Sequence, residues 1–133
     1  MNLMRLTPVA LVLLLAGCAR EQDYVEVMRQ QQVAWNGVAD VLETVKDKES
    51  MAAAKEELVA RMDACEAAAQ KARDLPQPSP EFLKKHDQKV YFLKSAMERA
   101  SAEVRRIRQL PGGEAFCRQF QSQHPGLLSA VQP

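Results

Sequence analysis

An all-α fold is what this sequence predicts: an antiparallel three-helix bundle running up, down and up, with a short C-terminal helix or tail. Three observations lead there. The 133 residues include one Trp, two Tyr and four Phe, while Ala, Glu, Lys, Arg and Gln abound, a composition that favours helices. Three long stretches carry apolar residues at spacings of three and four, a mean of about 3.5 that marks helices packed with a left-handed twist. Between the second and third lies Leu75-Pro76-Gln77-Pro78-Ser79-Pro80, whose prolines cannot continue a helix. A lone amphipathic helix is unstable in water, so the stripes must bury against one another, and the bundle is the simplest arrangement that does so. A long helical hairpin that dimerises is the alternative.

The chain begins Met1-Asn2-Leu3-Met4-Arg5 and continues as an apolar run from Leu6 to Leu14. It then reads Leu15-Ala16-Gly17-Cys18. One positive charge, an apolar run and small residues before a cut site are the three parts of a secretory signal. The stretch from Leu6 to Gly17 is too short for a membrane-spanning helix, which needs about 20 residues. Leu15-Ala16-Gly17-Cys18 resembles the lipobox of bacterial lipoproteins, and the resemblance covers residues 1–18. It implies a signal peptide over 1–17, a cut between Gly17 and Cys18, a diacylglycerol on the Cys18 thiol and a further acyl chain such as palmitate on the new amino group. One acyl chain holds a protein reversibly, whereas two or three make the attachment effectively permanent. Ala19 stands where enteric lipoproteins retained in the inner membrane carry Asp. The resemblance therefore implies the periplasmic face of the outer membrane, with the inner membrane as the alternative. Residues 18–22 read as a short tether that reaches about 15 Å when extended, so the domain over 23–133 is expected close to the membrane.

The first helix is expected at about 23–47, with Asp23 as its cap. Met28, Trp35, Val38, Leu42 and Val45 form its stripe, with Gln31 at the missing step. Asn36-Gly37 is a candidate kink, since Gly in a helix costs about 1 kcal/mol against Ala. Lys46-Asp47-Lys48-Glu49-Ser50 has no apolar residue, and Asp47 or Ser50 suits the cap of a second helix that runs to about Asp74. Its stripe is Met51, Leu58, Met62, Cys65, Ala69 and Ala72.

After the prolines, Ser79 followed by Pro80 and Glu81 is a favourable helix start. A third helix is expected over 81–110, about 45 Å long, with Phe82, His86, Val90, Leu93, Met97, Ala100, Val104 and Ile107 on one face. Pro111-Gly112-Gly113 ends it. Glu114 to Gln123 reads as a short fourth helix with Phe116, Cys117 and Phe120 on one side, stopped by Pro125-Gly126. This order of helices and turns also resembles small helical proteins of bacteria, a resemblance that implies no activity.

The charges exclude one class of partner. Removing Arg5 with the signal balances the 17 acidic side chains with as many basic ones, whereas nucleic-acid binding demands a basic surface. Within that balance, residues 21–74 hold 12 acidic and 7 basic side chains, and residues 81–120 hold 5 and 9. An acidic pair of helices packed beside a basic one accounts for this. Arg105, Arg106 and Arg108 are the one basic cluster. Cations in the last turn of a helix complement its dipole by about 0.3–1 kcal/mol each, and contact with an anionic partner is their functional reading.

No catalytic, cofactor or metal motif stands out. His86 and His124 lack a second His four residues away or a paired Cys motif, and His86 reads as an interfacial residue with a polar partner. Glu56, Glu57, Glu98 and Glu103 fall on solvent faces with nothing to raise their pKa as a general acid requires. The serines have no Gly-rich elbow, and Trp35 reads as core. With Cys18 lipidated, Cys65 and Cys117 remain as two thiols in an oxidising compartment, which favours a disulfide. Geometry resists the bond. Bonded Cα atoms must lie within about 7 Å, so the chain after Pro111 has to double back along the second helix, the third helix has to end early, or the helices have to be offset.

The expected function is therefore that of a membrane-anchored periplasmic lipoprotein, a non-enzymatic binding or structural component of the cell envelope. Its partners would be the membrane, through lipid on Cys18, and an envelope protein or the cell wall. The alternative is a carrier that holds a lipid or other apolar molecule in the bundle core, where Met28, Met51, Met62 and Met97 suit an adaptable lining.

Overall fold

The structure is a computed structural model that describes the backbone of residues 9–125 and the side chains of residues 21–125. Five helices follow in order: α1 (Val9–Glu43), α2 (Lys48–Asp74), α3 (Pro80–Lys85), α4 (Asp87–Arg108) and α5 (Gly113–Gln123). The helical bundle is thus present and free of strands among the described residues. α1 packs along both α2 and α4, and α5 packs against α4 and α2.

The first helix is longer at its start than its sequence suggests. α1 runs unbroken through residues 18–22, and Asp23 lies inside the helix instead of capping it, which corrects the expected cap. Gly37 does not break α1 either. A Cβ there would meet Arg61 Cδ at 3.1 Å, so the missing side chain lets α2 approach closely. At the other end α1 closes at Glu43, and the amides of Thr44 and Val45 bond back three residues to Val41 and Leu42. Asp47 and Ser50 then both act in one device. Asp47 Oδ1 accepts from the Ser50 amide at 2.8 Å, and Ser50 Oγ accepts from the Asp47 amide at 2.9 Å, a reciprocal capping box that starts α2.

The proline turn falls where its composition places it. Leu75 is extended, as a residue before proline must be. Ser79 Oγ accepts from the Phe82 amide at 3.1 Å with Pro80 in the first turn of α3. The single long third helix is a second correction. It divides at His86, whose φ of −113° and ψ of 28° are not helical, and it closes at Arg108. At this division the His86 ring meets Glu21 of α1 and lies tilted against Phe82, with ring centroids 4.5 Å apart.

The reversal after α4 depends on two glycines. Gly112 has a φ of 79°, a left-handed value that side chains resist. A Cβ on Gly113 would stand 1.6 Å from the Ile107 carbonyl oxygen. Their absence of side chains lets α5 fold back across α4 and α2.

The core is confined to one half of the bundle. It joins Trp35, Val38, Leu42 and Val45 of the α1 region, Leu58, Met62 and Cys65 of α2, Ala96, Ala100 and Ile107 of α4, and Phe116, Cys117 and Phe120 of α5. No residue from 21 to 33 or from 69 to 95 is buried. Phe82, His86, Val90 and Leu93, on the expected stripe of the third helix, are only half-buried.

Candidate functional site

Three regions hold the side chains that chemistry singles out. The first is the end of the bundle where α1, the proline turn and α3 meet. Glu21 Oε1 accepts from Lys85 Nζ at 2.6 Å and lies 3.0 Å from His86 Nε2. The Tyr24 hydroxyl donates to the Pro76 carbonyl, and its ring lies 5.2 Å from that of Phe82. The bonds from Lys85 and His86 hold the Glu21 carboxyl below its ordinary range. His86 is thus an interfacial residue with a polar partner, as the sequence suggests.

The second region is a lattice of arginines between α1 and α4. Arg99 reaches Asp40 Oδ1 at 2.6 Å and Glu43 Oε1 at 2.7 Å, with Asn36 Oδ1 at 3.5 Å. Sequence reasoning missed this clamp. Asp40 and Glu43 share a face of α1 at i,i+3, but nothing in the chain says which cation stands opposite until the register of α4 is known. The expected cluster Arg105, Arg106 and Arg108 is in the last turn of α4. Its members turn to partners within the molecule. Arg105 donates to Ser101 Oγ at 2.9 Å and lies 3.6 Å from Glu98. Arg106 donates to Glu103 at 2.7 Å and to the Leu42 carbonyl at 3.0 Å, which caps the end of α1. Arg108 Nε is buried without a hydrogen bond, 3.8 Å from Glu114 Oε2.

The third region is a cavity of about 30 Å³ among α1, α2, α4 and α5, bordered by Trp35, Met62, Val104, Arg108 and Phe120. Cys65 and Cys117 border it too. α5 doubles back as a disulfide would require, yet the bond is not formed: both cysteines are free and buried. This corrects the expected pairing. α5 inserts Phe116 and Phe120 into the core, and Cys117 lies with them, its Sγ 4.0 Å from the Val104 carbonyl oxygen. Burial pushes the Cys65 thiol up to about 12. It also raises the Cys117 thiol, which the Glu114 charge raises further and Arg108 lowers. Neither thiol is poised as a nucleophile, because the reactive form is the thiolate.

Among the described residues no three His, Cys, Asp or Glu side chains group as metal ligands would. His124 lies 3.6 Å from Asp63. No described helix is long and apolar enough to cross a membrane. Of the side chain of Cys18, the expected lipid-bearing residue, the described residues include nothing. What these regions define is a helical bundle held by a one-sided core and surface ion pairs. Comparison with protein families, curated proteins and solved structures finds no match to the chain.

Proposed function

We propose that the chain is a periplasmic lipoprotein, anchored by lipid on Cys18 to the periplasmic face of the outer membrane, that acts as a non-enzymatic binding or structural component of the cell envelope. The observation that carries this reading is Leu15-Ala16-Gly17-Cys18 at the end of an apolar run. Inner-membrane attachment is the alternative location. The mature bundle is read as up-down-up. Lys71 of α2 bonded to Gln30 of α1 at 2.9 Å supports a descending second helix. Lys85 on Glu21 and Arg99 on Asp40 and Glu43 support a rising third one. Since α1 continues through residue 18, cleavage before Cys18 leaves the bundle standing directly on its lipid, without a flexible leash.

The size of the cavity weighs against the carrier. About 30 Å³ admits a water or two, and a site for a small organic molecule measures some hundreds of Å³. Holding a lipid requires the core of α1, α2, α4 and α5 to open. The anionic-partner role of Arg105, Arg106 and Arg108 requires them to leave internal partners. The experiment is metabolic labelling with a fatty-acid analogue. Wild-type protein is expected to take the label and C18S to lose it along with membrane attachment. A labelled, membrane-bound C18S protein contradicts the reading.

A further inference from the structure

The large apolar side chains exposed among the described residues are Val33, Leu83, Tyr91 and Phe92, and all but Val33 lie in α3 and the first turns of α4. Tyr91 and Phe92 are 65% and 45% exposed and meet edge to face with centroids 5.8 Å apart. Lys84, Lys85, Lys89 and Lys94 surround them in the chain against Glu81 and Asp87. Lys85 is bound to Glu21, whereas Lys84, Lys89 and Lys94 form no ion pair or hydrogen bond among the described residues. Exposed aromatic rings beside unpaired lysines suit a bilayer interface, where rings settle among the headgroups and each lysine gains from anionic lipid.

The patch is also at the anchored end of the molecule. Glu21 binds Lys85 and His86, and α1 is helical past residue 18. Cys18 is three residues below Glu21, about 5 Å of helix, and Tyr91 is five residues above His86, about 8 Å. A bundle standing upright would hold Tyr91 about 12 Å above the lipidated cysteine, beyond a headgroup layer about 6 Å deep. Contact therefore requires a lean toward the α3 side. The absence of buried residues over 21–33 and 69–95 means that no internal core competes for these side chains.

We propose that the protein lies tilted on its own membrane, with Leu83, Tyr91 and Phe92 in the headgroup region and Lys84, Lys89 and Lys94 on anionic phospholipid. This rests on the lipid anchor at Cys18. Anchoring supplies the geometry, because a surface tethered this close meets the bilayer at a high effective concentration. Charge complementarity selects anionic lipid, and the weak patch needs no affinity of its own beyond the bias it gives to orientation.

The test uses the full lipidated protein in phosphatidylcholine vesicles with and without phosphatidylglycerol. F92C and V33C are labelled with an environment-sensitive maleimide, which the buried Cys65 and Cys117 thiols leave to the new cysteine. Spin-labelled headgroup lipids then quench whatever sits at the interface. Quenching of the F92C probe is expected to exceed that of V33C at least fivefold in phosphatidylglycerol vesicles. Adding K84E and K94E should cut the docked fraction relative to the undocked one by about tenfold or more. Vesicle flotation reads the anchor separately. Protein that floats while both probes are quenched alike overturns the docking and spares the anchor, and protein that does not float overturns both. Quenching indifferent to phosphatidylglycerol and to K84E/K94E overturns the recognition of anionic lipid. Shielding of F92C in native envelopes but not in vesicles assigns the patch to a protein partner instead, and also overturns the proposal.

Discussion

The two ends of this bundle are built differently. At the end where α1 closes, four helices converge, and Val45, Leu58, Cys65 and Ile107 are almost wholly removed from water. At the end where α3 crosses α1, contact is made by Tyr24, Phe82, His86 and an exposed carboxylate, and nothing is buried. The difference comes from α5. It is 11 residues long and folds back only over the closed end, where it supplies Phe116 and Phe120. Three helices alone leave a shallow seam, and a fourth short one converts half of it into a core.

If stability resides in the closed end, damage there should be severe. G113A has the largest expected effect, since its new Cβ collides with the Ile107 backbone and α5 must swing away. L58A removes a side chain that is 2% exposed and should cost about 2–5 kcal/mol. L93A, on the half-buried stretch of α4, should cost clearly less. Urea unfolding of the three variants measures this, and equal losses for L58A and L93A would erase the distinction between the ends.

The thiols sharpen the same contrast without disturbing it. Cys65 and Cys117 should resist a maleimide in the native protein, and both should react once it is denatured without reductant. Two modified thiols, those of Cys65 and Cys117, are expected. None would mean that oxidation joins them across the cavity.

Smaller effects belong to the turns and the surface. S79A removes the cap of α3 and should cost about 1 kcal/mol. R99A breaks a clamp made of exposed groups and should cost about 0.5 kcal/mol, with the loss shrinking in high salt. A gap between these two values in thermal melts would show that backbone capping outweighs the ion pairs in holding α3 and α4.

Acid should act weakly, through carboxylates of the open end and the α1–α2 turn. Glu21 is lowered by its bonds to Lys85 and His86, Asp47 by those from the Ser50 amide and hydroxyl, and Glu26, bonded to Arg29, to about 2. A carboxyl with a depressed folded pKa is protonated first in the unfolded chain. Its contribution is therefore complete above the ordinary carboxylate range near pH 4–4.5 and is lost as pH falls through the lowered folded values. Melting temperature should be level above about pH 5 and decline toward pH 2. A decline that begins on the alkaline side would contradict these assignments.

Much of the fold was legible because local signals agreed. The capping pair Asp47 and Ser50, the Ser79-Pro80 start and the paired glycines at 112 and 113 each specify a helix boundary by backbone chemistry. Periodicity found the faces of α1, α2 and α5. It overreached on the third helix, because a helical stripe continues smoothly through His86, and the break there, which goes with a tertiary contact to Glu21, has no local signal in the chain. The same limit hid the Arg99 clamp. It also hid the exposure of Tyr91 and Phe92, whose helical phase places them off the stripe of Leu93 and Met97 but does not tell how much of that face a neighbour covers. The cysteine pairing failed differently: the compartment expected from the signal favoured a bond, but Cys65 on α2 and Cys117 on α5 are free thiols in the core, and a bond depends on a spacing that the chain does not reveal.

Amide hydrogen exchange on the full protein in detergent, resolved along the chain, tests the division of the bundle most directly. Amides over 34–43 of α1, 51–68 of α2, 96–107 of α4 and 116–120 of α5 are expected to exchange only with global unfolding, while those over 21–33 and 69–95 exchange through local opening. Uniform protection along α1, α2 and α4, or slower exchange at the α3 end, would contradict a core confined to the closed half.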